Sequence, residues 1–203
     1  MKIFITGTDT DIGKTFISSW LCLHTGYKYF KPIQTGNIDE TDTETLKSLG
    51  VNTYNEKFSY KERLSPHLAA RLEGEYIDFD SISLPSEENL IIEGAGGALV
   101  PINDKYLVID LIQKFNVPVI VVARSGLGTI NHTLLTLESL RSRDINILGV
   151  ILNGPLNAEN AKAIEFYGKV KVLAQIPKLE SSTKEDLLNI PLTTNIRNIL
   201  EKK

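Results

Sequence analysis

Cysteine is nearly absent: Cys22 is the only one in the chain, so no internal disulfide can form. Its place in an apolar helical stretch makes it a packing residue rather than a nucleophile. No uninterrupted apolar run approaches the roughly 20 residues that a bilayer-spanning helix needs. Lysine and arginine form no run beyond the C-terminal pair, and a formal net charge of −3 gives no general attraction to nucleic acid or anionic membrane. The three histidines, His24, His67 and His132, are scattered without metal-ligand spacing, which argues against zinc. Internal repeats, low-complexity segments and linkers are also missing. Met1-Lys2 leads straight into a strand-like run, which leaves no room for a signal peptide. The expectation is a cytoplasmic protein with neither nucleic acid nor membrane as partner. With 203 residues and 42% hydrophobic content, the chain can bury a substantial core as one domain.

What the sequence does have is a phosphate loop. Gly7 to Thr15 reads GTDTDIGKT and fills G-x-x-x-x-G-K-[ST] at every fixed position. It follows the strand-like Lys2 to Thr6 and opens a helically spaced apolar stretch, Phe16 to Leu23. The glycines let the backbone wrap an anion, and the following helix presents its positive N-terminal end. Lys14 should reach the β- and γ-phosphates, and the Thr15 hydroxyl should ligate Mg²⁺.

The remainder alternates strand and helix. Strands are expected at Tyr27 to Phe30, Leu90 to Ile92, Val117 to Ala123, Ile147 to Leu152 and Val170 to Ile176. Helices are expected at Asp42 to Leu49, His67 to Leu72, Leu107 to Phe115, Asn131 to Arg143, Ala158 to Tyr167 and Thr193 to Leu200. The stretch between Leu49 and Pro66 reads as irregular. Near-continuous apolar strands separated by helices mean an α/β fold, a mostly parallel sheet covered on both faces. Ligands of such sheets bind beyond the carboxyl ends of the strands.

Residues just past those ends are therefore the candidates. Lys31, fixed by Pro32, stands at the same edge as the phosphate loop and is suited to charge developing on a transferred phosphoryl group. Glu93 ends a strand beside the loop, where an acidic side chain serves Mg²⁺ directly or through water. Asp39, Glu40 and Asp42 offer one more ligand, and spacing does not choose among them. The glycines of Arg124 to Asn131 suit either a carboxylate site or an ordinary strand-to-helix loop. Asn153-Gly154-Pro155 and Gln175-Ile176-Pro177 are strand-end turns.

GTDTDIGKT, KPIQTG, SPHLAARLEG, EGAGG followed by Pro101, ARSGLGTINHTLLT, and the later Asn153 and Pro177 together resemble the dethiobiotin synthetases. The resemblance runs in order from about residue 3 to 179. It implies ATP-dependent conversion of 7,8-diaminononanoate and CO₂ to dethiobiotin, through a carbamate and a carbamic-phosphoric anhydride, with Mg²⁺ as cofactor. By resemblance, Lys14 holds the phosphates, while Thr15, Asp42 and Glu93 surround Mg²⁺. Lys31 faces the carbamate and the transferred phosphoryl group, Thr35 lies beside the substrate, and Thr10 and Asp11 stand close to the reacting groups. Nucleotide contacts are implied at Asp11, Ile12, Gly13 and Phe16, and at Gly94, Ala95 and Gly96. Asn153 and Gly154 correspond to the adenine site, and Pro177, Lys178 and Leu179 to the lining of base and ribose. The family is homodimeric, and Leu127, Gly128, Thr129, Ile130 and Asn131 correspond to the helix start that holds the diamine's carboxylate across the interface.

The alternative is a partner-regulated ATPase switch of the partitioning and positioning type. Those proteins carry a second lysine five residues before the loop lysine, where this chain has Asp9. The segment Asn195 to Lys203 is also too short for a basic membrane-targeting helix. An amidotransferase-linked synthetase is disfavoured, because no glutaminase domain with a nucleophilic cysteine is present.

Overall fold

The computed structural model describes residues 1–177, 179 and 182–201. Strand β1 (Lys2–Gly7) lies centrally in a parallel six-stranded sheet, between β5 (Leu90–Gly97) and β6 (Val119–Arg124). Outside β5 runs β2 (Lys28–Phe30), and beyond β6 come β7 (Ile147–Asn153) and β8 (Val172–Ile176).

The alternation of side chains along each strand explains why both faces are covered. Phe4, Ile92, Val119 and Val121 point into one core, with Leu137 and Leu140 of α5 (Thr129–Arg141) and Ile164 of α6 (Ala158–Gly168). Helix α4 (Val108–Phe115) covers the same face. Ile3, Ile5, Ile91, Ile120 and Val122 point the other way. They meet Trp20 of α1 (Lys14–Thr25), Leu187 of α7 (Lys184–Leu188) and Ile196 of α8 (Thr194–Leu200). The Trp20 indole N–H, buried in this second core, donates to the Ile190 carbonyl at 2.8 Å, which satisfies the one polar atom of an otherwise apolar side chain.

The expected mostly parallel α/β sheet is therefore present. Three short elements differ from expectation. Ile33–Thr35 forms β3 and Phe58–Tyr60 forms β4, a parallel pair outside the main sheet, where the sequence reads as loop and irregular chain. Helix α7 was also not expected. The strand expected from Val117 begins at Val119, because Pro118 has no N–H to give a ladder. Helix α2 (Asp42–Ser48) and α3 (Pro66–Leu72) complete the elements among the described residues.

Candidate nucleotide and phosphoryl-transfer site

The phosphate loop leaves β1 at Gly7 and enters α1 at Lys14. Gly13 is the N-cap of α1 at φ 89°, a left-handed conformation that favours glycine. With no side chain capping it, the first turn of α1 keeps its N–H groups for an anion. The Asn153 amide packs over Gly13, where any Cβ would collide with it, and donates to the Ile12 carbonyl at 2.9 Å. Gly97 also approaches the loop backbone closely, next to Gly7 and Thr8. The buried Lys14 ammonium reaches back across the loop to the Asp9 carbonyl at 3.1 Å. Burial pulls its pKa below the ordinary lysine value, while the charge of Glu93 works against that shift.

At the head of α1, three elements bring side-chain oxygens together. Asp42 is the first residue of α2, and the sequence Thr41-Asp42-Thr43-Glu44 fixes it there. The Thr41 hydroxyl accepts from the Glu44 N–H at 3.2 Å, and the Glu44 carboxylate accepts from the Thr41 N–H at 2.8 Å, a reciprocal cap. Glu93 lies on β5 opposite Ile5 of β1 and is fully buried. Thr15 Oγ1 lies 2.7 Å from Asp42 Oδ1 and 3.0 Å from Glu93 Oε1. Lys31, just past β2, pairs with both carboxylates and stands 3.2 Å from Glu93 Oε1.

Burial alone would lower the Lys31 pKa, but Glu93 and Asp42 more than offset it and hold the ammonium above its ordinary value. For Asp42, burial works toward a higher pKa. The charge and hydrogen bond of Lys31, with the Thr15 hydroxyl, outweigh it and hold the carboxyl below its ordinary value. Two carboxylates and a hydroxyl are hard oxygen donors of the kind Mg²⁺ takes, and that ion completes its octahedron with water and phosphate oxygens. The donor set fits Mg²⁺.

A cleft of ≈ 1140 Å³ opens over this cluster. Lys14, Thr15, Lys31, Thr35, Asp42 and Glu93 line it together, with Thr10, Asp11, Gly13, Ala95 and Gly96 around the rim of the loop. Of the three acidic candidates, Asp42 is the one that meets Thr15 and Lys31; Asp39 faces Arg63 at 3.9 Å on the exposed rim, and Glu40 lines the cleft. Asp11 sits at φ 51° and is exposed. Gly94 turns inward against Phe4 and Val108, and Phe16 packs against the core that contains Trp20, so neither lies on the cleft lining. Gly154 pairs with Ile176 between the ends of β7 and β8, with Pro177 and Leu179 following; Lys178 lies outside the described residues.

Leu127 is fully exposed, Gly128 caps α5 at φ 89°, and Thr129, Ile130 and Asn131 form its first turn. None of these five lines the chain's own cleft, although His132, Leu135, Thr136 and Ser139, further along α5, do. Sequence reasoning missed the Tyr29 and Ser18 hydroxyls on Glu93, at 3.1 and 2.8 Å, and the Arg124–Asp9 ion pair at 2.7 Å that ties the loop to β6. Strand alternation was an available signal for Tyr29, because Tyr29 and Lys31 are two residues apart.

A phosphate loop between the central strand and first helix of a parallel sheet defines a P-loop nucleotide-binding protein. The sequence matches the family described as AAA domain over residues 1–186. The MinD cell division protein of Aquifex aeolicus shares the fold, with TM-score 0.54 at 14% identity over 100% of this chain and 98% of that one. Sequence relatives are more specific. The ATP-dependent dethiobiotin synthetase BioD of Lawsonia intracellularis is 55% identical, over 98% of each chain. That of Paramagnetospirillum magneticum is 47% identical, over 95% of each. The chain belongs to the ATP-dependent dethiobiotin synthetase family.

Proposed function

We propose that the protein, as a single domain, makes dethiobiotin, ADP and phosphate from 7,8-diaminononanoate, CO₂ and ATP. The observation that carries this reading is the convergence of Lys14, Lys31, Thr15, Asp42 and Glu93 at the head of α1, in a chain of this family. One amine of the diamine adds to CO₂, forming an N–C bond and a carbamate as a proton leaves. A carbamate oxygen then attacks the γ-phosphorus of ATP, the bond to the β–γ bridging oxygen breaks, and ADP departs. The second amine attacks the carbonyl carbon and gives up a proton, phosphate leaves with the C–O electron pair, and the ureido ring closes.

Each anion in this sequence has a counterpart in the chain. We assign Lys14 and the loop N–H groups to the phosphates, and Lys31 to the carbamate and the transferred phosphoryl group. Supporting this, both ammonium groups are buried and line the cleft, where a fixed charge acts in a low dielectric. Thr15, Asp42 and Glu93 are assigned to Mg²⁺, which when bound neutralises charge on the phosphate oxygens. Thr10 and Asp11 stand beside the reacting groups, and Thr35 beside the substrate. For the adenine end we assign Asn153 with Gly154, Pro177 and Leu179. We further propose a cytoplasmic homodimer in which the α5 start, Leu127 to Asn131, receives the diamine's carboxylate from the neighbouring subunit's site.

The switch-ATPase reading rests on fold likeness at 14% identity, and Asp9 stands where its second lysine would be. Phosphate release separates the two. The ligase reading expects release only when diamine and CO₂ are both supplied. Release indifferent to both, but stimulated by a protein or membrane partner, would overturn it.

A further inference from the structure

The two oxygens of Glu93 meet different surroundings. Oε1 accepts from Thr15 Oγ1 at 3.0 Å and from Lys31 Nζ at 3.2 Å, both from residues of the cleft lining. Oε2 accepts from Ser18 Oγ at 2.8 Å and from the Tyr29 hydroxyl at 3.1 Å, and both of those residues are fully buried. We propose that Tyr29, assisted by Ser18, is a positioning residue: the two hydroxyls hold Oε2 and thereby aim Oε1 of Glu93 at the cation site. This rests on the assignment of Glu93 to Mg²⁺ made above.

The elements account for the arrangement. Ser18 follows Thr15 by three residues, so α1 presents both hydroxyls on one face to the same carboxylate. Tyr29 and Lys31 are two apart along β2 and its exit, so they point to the same side of the sheet. The strand register sets Tyr29 opposite Ile91, two residues before Glu93 on that same face. Tyr29 therefore holds one oxygen from within the core while Lys31 meets the other from the cleft.

Packing alone does not explain the hydroxyl. Tyr29 sits in a core of Ile3, Ile5, Trp20 and Ile91, where a phenylalanine ring would fill the same space without a polar atom to satisfy. A carboxylate with one oxygen fixed by two donors loses the rotation that would otherwise turn its second oxygen away from a metal. Partners of this kind typically contribute about 10–100-fold to metal affinity.

The test is a double-mutant cycle between Tyr29→Phe and Glu93→Gln, read by calorimetric Mg²⁺ titration of the protein saturated with a non-hydrolysable ATP analogue. Tyr29→Phe should raise the Mg²⁺ dissociation constant about tenfold, and should add nothing in the Glu93→Gln background. Ser18→Ala should behave in the same way, which keeps the test open if Tyr29→Phe folds poorly. If Glu93→Gln weakens Mg²⁺ but Tyr29→Phe and Ser18→Ala do not, the positioning role is wrong and the Glu93 assignment stands. An equal loss from Tyr29→Phe in both backgrounds makes Tyr29 a packing residue and also overturns the role. An unchanged Mg²⁺ titration in Glu93→Gln removes the Glu93 assignment and this inference with it.

Discussion

Lys14 and Lys31 are buried in the same cleft yet are held in opposite ways. Lys14 is depressed chiefly by burial, whereas the Lys31 ammonium is stabilised by two carboxylates. Their replacements should therefore differ. Lys14→Ala should remove the fixed countercharge of the phosphates and lower turnover by on the order of 10² or more, with the cores unaffected. Wild-type turnover at unchanged nucleotide affinity would end the phosphate-loop assignment. Lys31→Gln should leave nucleotide affinity within about threefold and slow the chemical step by on the order of 10²–10³. Single-turnover rates and nucleotide binding, measured together, check this; lost binding with a normal chemical step would contradict it. At this scale the sequence was most legible where a motif fixes the residue's place, as at Lys14 and Thr15, and where a strand end does so, as at Glu93. Tyr29 and Ser18 were hidden because their role is a contact between elements, visible only once β2, β5 and α1 are packed together.

At the scale of elements, segments with an apolar pattern or a turn signal at their ends were readable, down to the three residues of β2, whereas β3 and β4 were not. The leucines at 134, 137 and 140 are spaced to share one face of α5, and Leu137 and Leu140 are fully buried. Leu137→Ala should destabilise the protein by about 3 kcal/mol, as a cavity in an apolar core. Urea denaturation should show a lower midpoint at unchanged slope; a loss within about 0.5 kcal/mol would place Leu137 outside the core. By contrast, β3 and β4 are three residues each, too short for alternation to register. Their pairing of Ile33 with Phe58 joins stretches far apart in sequence. Helix α7 carried a local signal that went unused, the reciprocal cap of Thr183 and Asp186.

For the molecule as a whole, the parallel, doubly covered sheet followed from apolar strands alternating with helices, but the strand order did not. Nothing local places β5 between β2 and β1, although that placement is what carries Glu93 to Thr15 and Lys31. The proposed dimer gives a prediction at this scale. Asn131→Asp adds a carboxylate to the first turn of α5 without the strain that the φ of 89° would impose at Gly128. Homodimers of Lys14→Ala and of Asn131→Asp should each be nearly inactive, whereas random re-pairing should restore about a quarter of wild-type activity, from one intact composite site in each mixed dimer. No recovery after demonstrated subunit exchange would assign the α5 start to an ordinary loop.

The central claim is that this chain closes a ureido ring at the expense of ATP. Its most direct test supplies the purified protein with 7,8-diaminononanoate, MgATP and carbon-13-labelled bicarbonate, and follows products by mass spectrometry. The account predicts dethiobiotin labelled in its ureido carbonyl, matched by equal ADP and phosphate, and no product when either diamine or ATP is withheld. Steady ATP hydrolysis with all three present and no labelled dethiobiotin would contradict it.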